Sequence, residues 1–179
     1  MKIVIDLQAR QTPGSAQRGI GRYSMELARA IARNRGLHDV RFLLNAAFDD
    51  GIDALEGELR QMDGATVERY RLLPIAAAWG DERRRLQRVN DAILDWRYAC
   101  TDADALHVSS VFEGWQAGGA HVSMGTGNVP AGVHSATLYD LIPLIFADIY
   151  LHPADRVLYE ERVALFRALD TVFAISESA

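Results

Sequence analysis

Short apolar runs of strand length alternate along this sequence with longer segments whose apolar residues recur at helical spacing. The strand-length runs are Lys2–Leu7, Val40–Asn45, Thr66–Leu72, Ala105–Ser109, Ala136–Asp140 and Thr171–Ile175. Successive parallel strands need long crossover connections, and helices usually supply them. The alternation therefore predicts an α/β fold, with a mainly parallel twisted sheet and helices on both faces.

Four segments between these runs are predicted to be helices. They are Ile20–Asn34, Ile52–Met62, a segment from about Asp81 to Cys100, and a segment that Pro153 opens. In the third helix, apolar residues step by three and four positions, and arginines gather near its start as a solvated face. Cys100 is the only cysteine, so a disulfide within the chain is excluded. We predict that it is a buried cytosolic thiol.

Composition excludes several classes of protein. The 179 residues are 49% hydrophobic, which is enough for one compact domain with its own core. Nineteen basic residues against 24 acidic ones give a formal net charge of −5, so a dedicated nucleic-acid binder is not expected. No apolar run approaches the roughly 18 residues of a membrane span, and the sequence does not open with a signal-peptide pattern. These features predict a soluble intracellular protein.

The glycines near the first predicted helix match two phosphate-binding motifs incompletely. Gly14 and Gly19 have the spacing of a P-loop, but Ile20 and Gly21 follow where that loop needs Lys and then Ser or Thr. The dinucleotide fingerprint is also partial, because the glycines lie about twelve residues beyond the strand. Asn45 ends the second strand where an acidic residue would hold the ribose. A nucleoside triphosphatase is excluded, and NAD binding is disfavoured.

Two readings of this glycine segment stay open on the residues alone. Gly19 and Gly21 would let backbone approach a ligand, and a helix N-terminus offers free N–H groups. Arg18 and Arg22 flank the helix start, so a diphosphate or another anion could bind there. The alternative is an ordinary flexible loop.

Polar residues also follow the strands Ala105–Ser109 and Ala136–Asp140. Ser109, Ser110 and Glu113 come after the first of these, and Asp140 ends the second. Open parallel sheets bind ligands outside the carboxyl ends of their strands, so we expect these residues to line one concave edge with the glycine segment. Glu113 as a surface acid and Asp140 as a turn acid are the alternative readings.

Other catalytic patterns fail. Asp102-Ala103-Asp104 precedes its strand and so lies at the wrong end of a parallel sheet for a metal site. The five histidines are scattered, and the segment 121–125 lacks the first glycine of a nucleophile elbow. Zinc enzymes and serine hydrolases therefore lack support. Six of the 14 glycines fall between Gly114 and Gly132, which indicates a loop that contacts a ligand or acts as a lid.

Four segments, in this order, resemble the N-terminal half of family 4 glycosyltransferases, the retaining enzymes that build bacterial polysaccharides such as lipopolysaccharide O-antigen. The segments are Arg18–Ser24, Leu106–Gly114, Tyr139–Leu144 and Phe173–Ser178. The resemblance covers nearly the whole chain. It implies a GT-B enzyme, in which two Rossmann-like domains face a cleft, and residues 1–179 would form the acceptor-side domain. The resemblance implies that the domain that binds the nucleotide sugar is absent from this chain. Separately, Ser176 would cap a further helix just before the sequence ends, which indicates that the sequence is cut there.

The resemblance also implies substrates and site residues. The donor would be a GDP- or UDP-sugar, often GDP-mannose, and the acceptor a glycan or lipid-linked sugar. No metal or tightly bound cofactor is implied, and the location would be cytoplasmic, peripheral at the inner face of the membrane. Gly19 and Gly21 would lie against the donor phosphates or the acceptor across the cleft, and Arg22 would contact anionic or hydroxyl groups there. Arg18, Ser110, Glu113 and Tyr139 would contact the acceptor, and Asp140 would be catalytic.

One residue departs from the family pattern. Many relatives carry His immediately before the Asp of the Asp-Leu-Ile-Pro segment, whereas Tyr139 stands there in this chain. A catalytic His therefore cannot be carried over. Two other functions remain as alternatives: a stand-alone Rossmann-like module that binds a phosphorylated small molecule, and an NAD-type oxidoreductase.

Overall fold

The computed structural model describes residues 1–74, 80–113 and 132–177. Its strands are β1 (Lys2–Asp6), β2 (Asp39–Asn45), β3 (Ala65–Tyr70), β4 (Ala105–Val108), β5 (Val133–Leu138) and β6 (Thr171–Ala174). Its helices are α1 (Gln8–Gln11), α2 (Gly19–Arg33), α3 (Ile52–Arg60), α4 (Gly80–Thr101), α5 (Ile142–Ile145), α6 (Ala147–Tyr150) and α7 (Pro153–Leu165), and a 3₁₀ turn spans Phe166–Ala168.

The six strands form one sheet in the order β3-β2-β1-β4-β5-β6, and every neighbouring pair is parallel. The predicted α/β class with a mainly parallel sheet is confirmed, and the fold is Rossmann-like. The strand order reverses between β1 and β4, where Ile5 lies opposite Phe42 on one side and His107 on the other. Such a reversal opens a crevice outside the carboxyl ends of the strands, which is where sheets of this kind bind ligands.

Neighbouring residues of each central strand feed two cores on opposite faces of the sheet, because side chains alternate along a strand. Val4 packs with Leu94 and Tyr98 of α4 in one core. Ile5 packs with Met25 and Ala28 of α2 in the other, where α3 also contributes side chains. β1 and β2 therefore carry apolar side chains on both faces of the sheet, as in sheets that helices cover on both sides.

The start and end of β5 differ from the sequence-based prediction. The strand begins at Val133 and ends at Leu138, whereas Ala136–Asp140 was predicted. At the start, Gly132 has a φ of +90° and lies against the backbone of residues 103 and 104, so pairing begins early. At the end, Asp140 accepts a hydrogen bond from the amide of Ile142, which turns the chain away from the sheet. The predicted glycine-rich loop lies outside the described residues.

The prediction that Cys100 is buried is wrong. The face of α4 that packs on the sheet carries Asn90, Leu94 and Tyr98, and Cys100 is exposed on another side of the helix. Trp96 is 67% exposed. The apolar stripe that the helical spacing indicates is therefore turned partly outward, and a second set of residues faces the core.

Short helices follow two strands where the sequence indicated only loop or turn. One-turn helix α1 lies within the polar segment after β1, and α5 and α6 follow β5. Large apolar side chains of α5 and α6 stay exposed, among them Ile145 at 69% and Ile149 at 75%. Among the described residues, no helix is both long and apolar enough to cross a membrane.

Candidate functional site

A buried carboxylate, Asp6 at the end of β1, lies at the strand-order reversal. Asp6 is fully buried, and its Oδ2 accepts hydrogen bonds from the hydroxyls of Tyr70 (2.8 Å) and Tyr98 (3.0 Å). Its Oδ1 accepts the backbone N–H of Gln8 at 2.9 Å. Burial raises the pKa of Asp6, and these hydrogen bonds act in the opposite direction. Asp6 thus fixes where the chain leaves β1 and holds β3 and α4 to that point.

Asn45, at the end of β2, holds the segment that follows β1. Its backbone N–H donates to the Gln11 side chain (2.8 Å), and the Gln11 amide donates back to the Asn45 carbonyl (3.0 Å). The Asn45 Oδ1 accepts the N–H groups of Ala47 and Leu72. Asn45, which stands where NAD binding would need an acidic residue, therefore uses its side chain and backbone to hold two loops in place.

Glu113 joins the loop after β4 to the loop after β1. The carboxyl group is buried and accepts hydrogen bonds from the hydroxyls of Thr12 and Ser15, the latter at 3.0 Å. Burial raises the pKa of Glu113, while hydrogen bonds from Thr12, Ser15 and Ser110 favour its charged form. The reading of Glu113 as a surface acid is wrong. Its contacts bind the two loops that flank the crevice into one unit.

Gly21 packs against that same loop. It is buried, its N–H donates to the Ser15 carbonyl at 3.0 Å, and a Cβ at this position would lie 2.5 Å from the carbonyl oxygens of Ser15 and Ala16. The close approach that the sequence indicated is made by the chain's own backbone. A larger residue at Gly21 would therefore disturb the fold, because its added atoms would displace the loop that binds Glu113.

Tyr139 is a buried anchor between β4 and α2. Its hydroxyl donates to the Ser109 carbonyl at 2.9 Å and shares a 3.0 Å hydrogen bond with the hydroxyl of Ser24. The ring of Tyr23 meets it edge to face, with centroids 5.6 Å apart. Burial raises the pKa of Tyr139 to about 12. The sequence predicts that the Tyr139 side chain contacts the acceptor. In this structure, the Tyr139 hydroxyl forms its hydrogen bonds with Ser109 and Ser24 of the same chain.

The first turn of α2 is the open part of the site. Arg18, Gly19 and Arg22 are exposed, and a Cβ on Gly19 would meet nothing within 4 Å. Arg18 precedes the helix, and no side chain caps its N-terminus. Within the described residues, the N–H groups of Gly19 and Ile20 have no hydrogen-bond acceptor. Two free N–H groups between two exposed guanidinium groups form a place where an anion can bind.

Asp140 is exposed just beyond β5, at the same edge of the sheet. Its Oδ1 accepts the backbone N–H of Ile142 at 3.0 Å, which is the turn contact that the alternative reading predicted. Burial, followed by the nearby charge of Asp140, raises the pKa of Tyr159 to about 12. The Tyr159 ring stacks on Phe112, so Asp140 lies near the loop that carries Glu113.

The structure therefore brings most of the predicted site residues to one edge of the sheet. Some of these residues are buried and others are exposed. Ser110, Glu113, Gly21 and Tyr139 are buried and tie loops together, whereas the remaining ones are exposed. Sequence reasoning missed Thr12 and Ser15, whose only signal is a hydroxyl in a polar loop. Among the described residues, no group of three or more His, Cys, Asp and Glu side chains is placed to hold a metal ion.

Comparison with known proteins adds to this geometry. A serotype-specific mannosyltransferase of Escherichia coli, WbdA, is 33% identical to the chain over 183 aligned positions, which cover 100% of the chain and 21% of that protein. The chain resembles a bacterial mannosyltransferase. Two further Escherichia coli proteins of the same name are 31% identical to this mannosyltransferase-like chain over 157 and 161 positions, covering 86% of it and 19% of each relative.

The chain spans about a fifth of the length of the curated relatives it matches. No protein-family model matches it, and no solved structure matches it. The resemblance that the sequence motifs indicated is confirmed by these three mannosyltransferases.

Proposed function

We propose that this chain is the acceptor-side domain of a retaining glycosyltransferase of GT-B architecture. The enzyme transfers a sugar, mannose in this proposal, from a nucleotide-sugar donor to a glycan or lipid-linked acceptor during cell-surface polysaccharide synthesis. The observation that carries the proposal is similarity to mannosyltransferases along the whole chain. A Rossmann-like sheet with an open anion-binding helix start at its carboxyl edge supports it.

The residues of the site divide the work in this proposal. The first turn of α2 presents the N–H groups of Gly19 and Ile20, with Arg18 and Arg22 beside them, toward the donor diphosphate or the acceptor. These groups carry positive potential, and a departing nucleotide diphosphate develops negative charge. Asp140, exposed at the end of the neighbouring strand β5, lies where an acceptor hydroxyl would approach.

Glu113, Ser110 and Tyr139 act as supports in the same proposal. Glu113 holds the loop of Thr12 and Ser15, on which the first turn of α2 packs through Gly21. Catalytic rate depends steeply on how well such groups are positioned. A second Rossmann-like domain, beyond the length that the present chain covers, would bind the base and sugar of a GDP- or UDP-linked donor. The enzyme would work at the cytoplasmic side of the membrane.

The test is transfer of labelled mannose from GDP-mannose to a glycan or lipid-linked acceptor, with UDP-sugars in parallel, by the longer polypeptide that contains this chain. Arg22→Ala is the informative variant, and Arg33→Ala is its control because both arginines are exposed on α2. Loss of one charge-assisted hydrogen bond should lower kcat/KM about tenfold or more in Arg22→Ala. Equal activity of the two variants, or no transfer from any nucleotide sugar, would contradict the proposal.

The open N–H groups of Gly19 and Ile20 also favour a second candidate, a stand-alone module that binds a phosphorylated small molecule. Calorimetric titration of the 179-residue chain with sugar phosphates and nucleoside diphosphates separates the two. Tight phosphate-dependent binding by this chain, lost in Arg22→Ala and without transfer by the longer protein, would favour the second candidate.

A further inference from the structure

Helix α7 carries a buried arginine on its inward side. Arg162 is only 6% exposed, and burial lowers the pKa of its guanidinium group. Tyr159, three residues earlier, is also buried, and Leu165, three residues later, packs on the same core as Leu94 of α4. Arginine is almost never fully buried unless it is paired, so the charge of Arg162 calls for a partner.

The described part of the chain supplies no direct partner for this group. No hydrogen bond and no ion pair joins the Arg162 side chain to a described residue. Asp91 of α4 and Glu161 of α7 act on its charge, but neither carboxylate lies within ion-pair distance of it. The segments 75–79, 114–131 and 178–179, which lie outside the described residues, contain no Asp or Glu. The described residues therefore leave the donors of Arg162 unsatisfied.

The chemistry of the guanidinium group indicates which ligand would satisfy it. Its N–H donors form a planar fork that matches two oxygens of a phosphate or carboxylate group, and it stays protonated in proteins. An isolated buried charge is costly, so buried charges are found paired with an opposite charge. Hydrogen bonds between charged groups are also stronger in a region of low dielectric than in water. An oxyanion would meet both the charge and the donors of Arg162.

The position of Arg162 is next to a contact between α7 and the loop after β4. The Tyr159 ring stacks on Phe112 with centroids 4.8 Å apart, and the Phe166 ring lies 5.7 Å from Phe112. Tyr159 and Phe166 lie three residues before and four residues after Arg162, so the three side chains share one side of the chain there. Arg162 therefore lies about one helical turn from the rings that join α7 to the loop that carries Glu113.

We propose that Arg162 is the centre of a buried binding site for an oxyanion, a phosphate or a carboxylate group, between α7 and α4. Two oxygens of the bound group accept hydrogen bonds from the guanidinium fork. The site is separate from the first turn of α2, because α2 packs on one face of the sheet and α4 packs on the other. This inference is independent of the sugar-transfer proposal, and its test uses no sugar.

Thermal unfolding of the 179-residue chain measures binding. Inorganic phosphate is the probe, and sodium chloride at equal ionic strength is the reference, because exposed charges respond to salt alone. Phosphate at about one hundred times its dissociation constant should raise Tm by roughly 5–10 °C. Acetate in a parallel series distinguishes a site for any carboxylate from a site for phosphate alone. In ¹⁵N nuclear magnetic resonance spectra, the Arg162 Nε–H signal should shift with the same dependence on phosphate concentration.

Variants separate Arg162 from the other arginines. Arg162→Met should abolish the effect of phosphate and leave Tm without phosphate unchanged or a few degrees higher, because methionine adapts to apolar surroundings and brings no charge. Arg167→Met, at an exposed arginine, is the matched control and should keep the full effect. Arg22→Ala changes the first turn of α2 and should keep the part of the effect that depends on Arg162. Asp91→Asn should tighten phosphate binding, because it removes a negative charge that acts on Arg162.

Each other outcome overturns the proposal. A phosphate effect no larger than that of chloride removes the ligand, and an effect that persists in Arg162→Met assigns binding to another residue. Loss of the whole effect in Arg22→Ala assigns it to the first turn of α2, which refutes this inference and leaves the proposed function standing. A fall in Tm of several degrees in Arg162→Met without phosphate, or weaker phosphate binding in Asp91→Asn, shows that Arg162 supports the fold through the chain's own groups.

Discussion

Gly21→Ala should destabilise the fold, although a single methyl group is added to a helix. A Cβ at Gly21 would lie 2.5 Å from the carbonyl oxygens of Ser15 and Ala16 and 2.7 Å from the Ala16 Cα. All three contacts are with backbone, so no side-chain rotation can relieve them. The loop must move by about 1 Å to reach ordinary van der Waals distance, and overpacking of this kind costs about 1–3 kcal/mol.

That movement would also reach the site, because Ser15 donates a hydrogen bond to the buried Glu113. Weakening a hydrogen bond to a buried charged group adds about 1.5 kcal/mol, and the better helix propensity of Ala returns about 1 kcal/mol. The net loss in the free energy of unfolding is therefore about 1.5–3.5 kcal/mol. For a chain of this size, that lowers Tm by roughly 3–14 °C.

Gly19→Ala is the matched control, since Gly19 lies two residues earlier in the same helical turn and a Cβ there meets nothing within 4 Å. It should leave Tm unchanged or raise it by a few degrees, because alanine reduces the entropy of the unfolded chain. Thermal and urea unfolding of the 179-residue chain, followed by circular dichroism at 222 nm, compares the two variants. Equal Tm values would refute the reasoning that Gly21 is a packing glycine.

Three further predictions concern buried polar groups. Burial raises the pKa of Glu113 above its ordinary value of 4.5, so the folded state binds the carboxyl proton more tightly than the unfolded state. The free energy of unfolding therefore falls as the pH rises from about 4.5 through the pKa of the folded state. Glu113→Gln should flatten this part of a plot of Tm against pH; an unchanged slope would contradict the assignment. Burial lowers the pKa of His107 to about 4, so the unfolded state gains the proton first and up to about 3 kcal/mol of stability is lost between pH 6.5 and 4. Nuclear magnetic resonance titration checks this directly, and a His107 pKa near 6.5 in the folded chain would refute it. Tyr139→Phe removes the hydrogen bonds to Ser109 and Ser24 and should cost about 1–2 kcal/mol in urea unfolding, more than Ser24→Ala; a neutral Tyr139→Phe would show that these contacts do not stabilise the fold.

The hydrophobic pattern predicted the sheet, because strand-length apolar runs alternate with helical segments along most of the chain. The pattern was weaker at strand ends. β5 starts three residues before its predicted start because pairing begins beside Gly132, and this depends on a contact with residues 103 and 104 that no local rule encodes. For α4, the spacing of apolar residues identified the helix and misplaced Cys100, since apolar residues occur on both of its sides.

The sequence predicted which loops form the candidate site, but it predicted the role of each side chain in that site less well. Parallel strands bring their carboxyl ends to one edge of the sheet, so the sequence alone predicted that Glu113 and the start of α2 lie close together. What each side chain does there depends on long-range contacts. The hydrogen bonds from Thr12 and Ser15 to Glu113 span about a hundred residues of sequence, and hydroxyl residues in a loop carry no signal of such a partner.

The division between buried and exposed site residues has a consequence for how variants of this site are interpreted. Glu113 and Gly21 stabilise the loop on which the first turn of α2 rests, so changing them should lower stability and activity together. Arg22 is exposed, so changing it should lower activity in the longer protein while Tm shifts by no more than about 2 °C. Arg22→Ala therefore tests ligand contact, and Glu113→Gln tests positioning. If Arg22→Ala lowered Tm as much as Glu113→Gln, the first turn of α2 would be part of the folded support, and ligand contact would have to come from other residues of the crevice.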